Sequence, residues 1–418
     1  MIWAGRGVTA AAQVGVEARW GIVRVQLAPV VFRSQNLPYP LMGEDRTDLL
    51  RFRDARRPES IDLPQRFGDA PYGRLDPGDS FVALEWLGAT VGLSSARQLW
   101  GPAREFPLVL GTRAGGFPHL FAGTTRPTPI GIGTVEGRLI AARLDQSRWS
   151  PVQTGEQRRF HTGFTLTLRP RNLSWLEIGW NRTATTVWPE GGPTFADALG
   201  PFRGIMNPGN TSALNADDTN GFASAFTRLA VPGSGLEFFG ELSWEDFAND
   251  ARRLAQKPDD LNTVTLGLGR SWGTANQSLH WLALEMTNGE VSHHERGDRG
   301  FSRAIPPYYH MFTLQGLTSH GQVLGSLATY RGAAASLTYQ RYTPIGRFGV
   351  QLRRELTADP SGSMGPQVAL SSMFSLTRFV GAREWATDFG PSYQTTSGPA
   401  DPRGGGMGYH LSLRWRGL

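Results

Sequence analysis

Tyr409-His410-Leu411-Ser412-Leu413-Arg414-Trp415-Arg416 brings the sequence to its end on a strict alternation. Successive side chains of an extended strand point to opposite faces, so Tyr409, Leu411, Leu413 and Trp415 share one face. His410, Ser412, Arg414 and Arg416 share the other. The same period of two recurs along the chain. Phe160, Thr162, Phe164, Leu166 and Leu168 oppose His161, Gly163, Thr165, Thr167 and Arg169. Leu236, Phe238, Gly240 and Leu242 oppose Glu237, Phe239, Glu241 and Ser243. Leu176 to Asn181, Val264 to Gly269, Ser336 to Gln340 and Arg347 to Arg353 repeat the pattern. Such runs predict strands with one apolar and one polar face. Between them stand Pro232-Gly233-Ser234-Gly235, Trp272-Gly273-Thr274, Thr343-Pro344-Ile345-Gly346 and Asp401-Pro402-Arg403-Gly404, the chemistry of hairpin turns.

Composition narrows the architecture. The chain has 418 residues, with 52 glycines, 28 prolines and an aromatic share of 11%. It is too rich in aromatics for disorder and heavily punctuated by turn residues. No apolar run approaches the roughly 18 residues of a membrane-spanning helix. The absence of cysteine excludes disulfides, thiol nucleophiles and cysteine-ligated metals. A soluble sandwich rarely exceeds about 250 residues as one domain, whereas a transmembrane barrel grows by adding hairpins. At roughly 40–50 residues per hairpin with its loops, the length predicts about 16–20 strands. The fold class expected is therefore all-β, a single antiparallel transmembrane barrel over residues 1–418. Its C-terminal strand carries aromatics as outer-membrane barrels do, although the final residue is Leu418 rather than the usual Phe. A soluble propeller is the competing architecture, and no blade repeat supports it. Trp175, Trp180, Trp188, Trp281 and Tyr339 are expected to form aromatic girdles. Residues 39–79 read as long loops or a plug, and Glu241 to Asp260 as a loop with a short helical turn, so the lumen is expected to be partly occluded.

The formal charge is +6, and Lys257 is the only lysine among 42 basic residues. The excess of arginine fits either codon usage or an anionic partner gripped by guanidinium forks. Nucleic acid is not expected, because no basic helix, stripe or RNA-binding signature occurs. Met1-Ile2-Trp3-Ala4-Gly5-Arg6-Gly7 is not a signal peptide, which taken alone points to a cytoplasmic protein or to a chain that starts after its real beginning.

Several stretches resemble the capsule-assembly Wzi family of Gram-negative outer-membrane proteins. Gln98 to Leu108 (QLWGPAREFPL), Gly115 to Thr124 (GGFPHLFAGT) and Val135 to Leu144 (VEGRLIAARL) occur in the family's order. Gln315 to Gly325 (QGLTSHGQVLG) resembles its glycine-rich segment, and Gly5-Arg6-Gly7, Leu27-Ala28-Pro29 and Ser34-Gln35-Asn36 its N-terminal pattern. Ala103 and Ala142 stand where the family usually has glycine. The resemblance implies about 18 strands, an outer-membrane location, and a signal peptide plus a first strand ahead of the present start. It also implies a monomeric, non-enzymatic protein that binds or organises capsular or other anionic surface polysaccharide among outer-membrane lipid. The alternative is a porin-like channel for small anionic solutes, and occlusion of the lumen separates the two.

The candidate polysaccharide contacts are Trp100, Arg104, His119, Arg126, Arg138, Arg143 and His320. Trp100 and His119 lie in glycine- and proline-rich stretches that form either a carbohydrate platform or a buried loop closing the barrel. Glu136 and Arg138 share one strand face and suggest a lumen charge network. No metal is expected, since His293-His294-Glu295 offers only adjacent residues that point apart. No cofactor or catalytic residue is expected either. Gly92-Leu93-Ser94-Ser95-Ala96 lacks the last glycine of a nucleophile elbow, and no phosphate-binding loop or HExxH occurs.

Overall fold

The computed structural model describes all residues except 1, 44–45, 154–156, 203–218, 246–261, 275–276, 290–306, 311–312, 358–365, 397–404 and 418. The chain opens with β1 (Thr9–Gln13), β2 (Val16–Trp20), β3 (Val23–Leu27) and β4 (Val30–Ser34). Then come β5 (Tyr72–Asp76), β6 (Phe81–Trp86), β7 (Ala89–Ser94), β8 (His119–Thr124) and β9 (Thr128–Pro129). Longer strands follow: β10 (Gly133–Leu144), β11 (Arg159–Pro170), β12 (Leu176–Val187), β13 (Asn220–Val231) and β14 (Leu236–Glu245). β15 (Asn262–Thr274) and β16 (Ser278–Asn288) precede a two-residue pair, β17 (Thr318–Ser319) and β18 (Gln322–Val323). The chain ends with β19 (Gly332–Thr343), β20 (Gly346–Thr357), β21 (Gln367–Val380), β22 (Arg383–Thr396) and β23 (Gly406–Gly417).

Eighteen of these segments belong to one barrel. Antiparallel ladders run from β2 through β3, β6, β7 and β8 to β10, with β9 extending β8 along the same edge of β10. They continue in chain order to β23, skipping only the β17–β18 pair. From β10 onward the barrel strands have 10 to 14 residues, enough for the roughly 9–11 that a tilted strand needs to cross a bilayer.

The register places the sequence alternation on two real surfaces. Leu166, Ile178, Phe238, Leu268, Leu352, Phe374 and Leu411 face outward and are exposed. His161, Asn181, Ser224, Glu241, Thr265 and Glu285 face the lumen and are buried. An apolar exterior around a polar interior is stable only where the exterior meets lipid. At one rim the strands join through short turns, and there Trp20, Trp86, Trp175, Trp272, Trp385 and Trp415 are exposed. This belt differs from the expected one. Trp281 faces inward beneath Arg104, Trp188 packs edge-on against Phe160, and only Trp175 of the four expected tryptophans is exposed there. At the other rim the connections are long.

Part of the chain folds into the lumen. β1, β4 and β5 form a separate three-stranded sheet with one exposed face, and the residues between β4 and β5 fold inward to bury Phe52, Ile61 and Phe67. The plug expected in residues 39–79 is thus present. Glu241 to Glu245, expected as loop, are strand β14 instead; the rest of that stretch, 246–260, lies outside the described residues, as do His293, His294 and Glu295. The short helix in the interior is Leu327–Arg331, capped by the Ser326 side chain.

Lumen-facing rings sit over cross-strand glycines. Phe226 pairs with Gly179 and Phe239 with Gly267. A Cβ on Gly179 would come within 1.9 Å of the Phe226 ring, whereas one on Gly349 would meet nothing closer than 3.5 Å. Overpacking of this kind costs about 1–3 kcal/mol. Gly179→Ala is therefore expected to lower the midpoint of thermal unfolding in detergent, followed by heat-modifiable gel mobility, while Gly349→Ala leaves it unchanged.

Candidate functional site

The site begins with a loop that must be buried. Residues 95–118 leave β7, enter the lumen and return to β8. A buried backbone needs a partner for each N–H and C=O, and the barrel wall supplies them. The Glu285 carboxylate accepts from the N–H groups of Arg104 at 3.1 Å, Glu105 at 2.9 Å and Phe106 at 2.6 Å. The Thr265 hydroxyl donates to the Phe106 carbonyl at 3.0 Å, and the Tyr308 hydroxyl to that of Leu108 at 2.7 Å. Glu241 accepts from Ser224 at 2.7 Å and from Asn181 at 3.3 Å, beside Gly101. Gly101 has φ +90°, and a Cβ there would lie 2.5 Å from the Glu241 carboxylate. Glycine is thus required at that point for both backbone conformation and space.

Around this frame the loop is apolar. Ala103, Phe106, Leu108 and Val109 have no exposed surface. Trp100, Leu110 and Phe117 join Ile61, Tyr308 and Leu324 from the other inserted segments, and Phe121, Ile140, Leu144 and Phe222 from the wall, in one cluster. Two buried polar groups tie the inserted segments to β11 and to the β10–β11 connection. Arg159 of β11 donates to the Gly316 carbonyl at 2.6 Å. Asp62 accepts from the N–H and hydroxyl of Ser147 at 2.6 and 2.5 Å. Burial pushes the Asp62 carboxyl up from the ordinary range, against those two hydrogen bonds. Together these residues form an apolar plug across the barrel.

The plug leaves two vestibules. The lower one, a cavity of about 520 Å³, opens toward the short-turn rim between the loop and β10 to β14. Arg104 and Arg138 both reach it; Arg104 stacks on Trp281 at 4.9 Å and Arg138 on Phe121 at 4.1 Å. Glu136 lines the same cavity but has no ion pair with Arg138 or another cation among the described residues; the lumen network runs instead through the Arg169–Glu177, Glu177–Arg228 and Arg228–Glu237 ion pairs. The upper vestibule, about 580 Å³, opens toward the long connections between the plug and β19 to β22. Arg113, Arg331, Arg353, Tyr39, Tyr330 and Gln394 are among its lining groups. Arg113 and Arg353 both hold Glu105, at 2.6 and 3.2 Å.

The remaining sequence candidates are dispersed. Trp100 is 2% exposed and His119 is 1% exposed, so neither presents a surface to a sugar; the buried-loop reading of their stretches is the one realised. His119 faces the Phe117 carbonyl through Nδ1 at 2.8 Å and Gln98 through Nε2 at 3.3 Å. Arg126 sits in a separate cleft at the short-turn rim with Arg19, Arg24 and Glu85. Arg143 is on the outer face and pairs with Asp145 at 3.0 Å. His320 occupies a turn at φ +49°, its N–H bonded to the Asp145 carbonyl at 2.8 Å. Burial, with the Arg74 cation nearby, pushes its imidazole down to about 4. Sequence reading missed Glu285, Arg159 and every upper-vestibule arginine. Glu241 was legible as a polar-face residue, but its neighbour in space was not. Among the described residues no group of three or more His, Asp or Glu is placed to hold a metal.

Two outcomes follow. Glu285→Ala leaves three buried N–H groups unpaired, at about 1–3 kcal/mol each. It should destabilise the barrel by at least about 3 kcal/mol and open residues 95–118 to limited proteolysis, with Glu285→Gln intermediate. His320 is neutral when folded, so its contribution is complete above pH 6.5, the ordinary histidine value, and is lost as pH falls toward 4. His320→Asn, which tolerates positive φ, should therefore flatten the decline of thermal stability between pH 7 and pH 4.

The comparisons bear on this architecture directly. The structure is similar to that of Wzi from Escherichia coli, described as an outer-membrane protein involved in group 1 capsule assembly and a carbohydrate-binding β-barrel. The TM-score is 0.64 at 12% identity, over 98% of this chain and 78% of that one. OccK2 of Pseudomonas aeruginosa, solved with glucuronate, gives a TM-score of 0.47 at 9% identity, over 98% of this chain and 92% of that one. OccK7 of the same organism gives 0.44 at 9% identity, over 98% and 91%. No curated protein sequence matches the chain. The family model for the capsule assembly protein Wzi matches residues 5–376. With nearly the whole length matched, the chain belongs to the Wzi family of outer-membrane β-barrel proteins.

Proposed function

We propose that the protein is a non-enzymatic binder of anionic surface polysaccharide, and that the upper vestibule is where the glycan enters. The observation that carries this reading is the plug. A lumen filled by buried Phe106, Leu108, Val109 and Leu110 offers a solute a closed end, and a closed end suits binding. Outer-membrane barrels turn their short connections to the periplasm and their long ones outward, which sets the upper vestibule toward the cell exterior. Its volume of about 580 Å³ lies within the roughly 300–1,000 Å³ of small-ligand sites, room for a few sugar residues.

The lining suits a uronate-bearing chain. Arg331 is exposed on the last turn of its short helix, and Arg113 reaches the same space from the plug loop. Guanidinium forks grip carboxylates in two parallel hydrogen bonds. Tyr39 offers a ring face to sugar C–H groups, and Gln322, Gln367 and Gln394 offer amides to hydroxyls. Family membership and the carbohydrate-binding Escherichia coli relative support the same reading.

The test is titration calorimetry of the purified protein with oligo-alginate, a defined polyuronate, and with surface polysaccharide extracted from the producing cells. Hydrogen bonds to charged groups contribute about 1.5–3 kcal/mol, so Arg113→Gln with Arg331→Gln should weaken binding at least tenfold. Affinity should also fall as salt rises. Failure to bind either glycan, or equal binding by the double variant, overturns the proposal.

A further inference from the structure

The outer wall carries a charge asymmetry that the polysaccharide reading does not use. The register assigns each strand residue to lumen or exterior. Among the described barrel strands, the outward positions hold arginines and no Asp or Glu. Glu136, Glu177, Glu237, Glu241, Glu285, Glu355, Glu384 and Asp388 all face inward. Four of the outward arginines lie at the short-turn ends of strands in one stretch of wall: Arg270 on β15, Arg341 on β19, Arg378 on β21 and Arg383 on β22. All four are exposed, and none has an ion-pair partner among the described residues.

Their surroundings fix their height in the membrane. Arg270 lies between Leu268 and Trp272 on the same face. Trp272 stacks on His280 at 5.2 Å, and His280 shares a 2.8 Å hydrogen bond with the Tyr339 hydroxyl, one position below Arg341 on that face. Arg378 pairs across strands with Trp385, which packs on Trp415 at 6.4 Å. Exposed tryptophans of this kind mark the headgroup level. Leu268, Phe348 and Leu376 are their neighbours on the same face, apolar surface over which arginine stems lie while their heads reach water. Arg270, Arg341 and Arg378 stand two strands apart, about 10 Å at each step.

We propose that this face is a docking surface for anionic phospholipid, the headgroup phosphates lying along the row of Arg270, Arg341, Arg378 and Arg383. Charge complementarity carries the assignment: a one-signed cationic row, unneutralised among the described residues, at the depth of the headgroups. The row spans only β15 to β22, so the bound lipids collect on one side of the barrel.

The experiment uses the full chain in nanodiscs of seven parts phosphatidylcholine to three parts phosphatidylglycerol, with native mass spectrometry of the released protein–lipid complexes. The wild type should retain phosphatidylglycerol well above its share of the bilayer, and less at 0.5 M salt. Each Arg→Gln change should reduce that retention roughly fivefold, the worth of one basic residue near a charged membrane surface. Four Arg→Lys changes should largely preserve it. Arg354→Gln, on the outer face nearer the other rim, serves as the control. Single variants Arg341→Gln and Arg378→Gln keep the test available if the quadruple glutamine variant does not fold. No enrichment by the wild type, or undiminished enrichment by the folded glutamine variants, overturns the proposal.

Discussion

A polypeptide loop driven into the middle of a barrel must leave none of its backbone groups unpaired, and Glu285 is where that constraint is met. Three consecutive N–H groups, from Arg104 to Phe106, converge on one wall carboxylate. The carboxylate in turn is buried, and it is compensated there by those donors. Once the turn is fixed, Phe106, Leu108, Val109 and Leu110 fall into the apolar space beneath the other two inserted segments, and the lumen is closed. The two vestibules, their opposite openings and the identity of their linings are consequences of where that turn is held.

The repeating alternation made the barrel wall legible, because lipid outside and polar groups inside impose a period of two that nothing else in the chain obscures. Strand pairs such as Phe160–Leu168 against Leu176–Trp180 needed only that rule. The lumen was less legible, since inserted segments obey no period. Trp100 and His119 stood out by residue type, yet Trp100 is buried by residues far off in sequence, such as Phe222 on the wall and Tyr308 on another inserted segment. Glu285 looked like any polar-face residue of a strand. Its role appears only when residues 179 to 181 positions apart meet. The tryptophan belt erred for a similar reason: residues near strand ends were recognised, but Trp281 points inward, which one register position decides.

A plugged barrel and a channel can share a wall pattern, so the wall alone says little about function. The interior separates them. Here arginine is distributed over three surfaces with different surroundings. In the lower vestibule Arg169 and Arg228 are neutralised by Glu177 and Glu237. In the upper vestibule Arg331 stands open beside tyrosines and glutamines. On the outer wall Arg270, Arg341, Arg378 and Arg383 have no ion-pair partner among the described residues. One composition bias, read at first as an undivided excess of arginine, thus resolves into a structural network and two separate groups of open cations.

The account rests on the lumen being closed by the loop that Glu285 holds. Conductance of the purified protein in a planar lipid bilayer addresses this most directly. The account predicts no steady single-channel steps for the wild type in 1 M potassium chloride. Stable, ohmic steps from the intact wild-type barrel would contradict it and place the protein among channels.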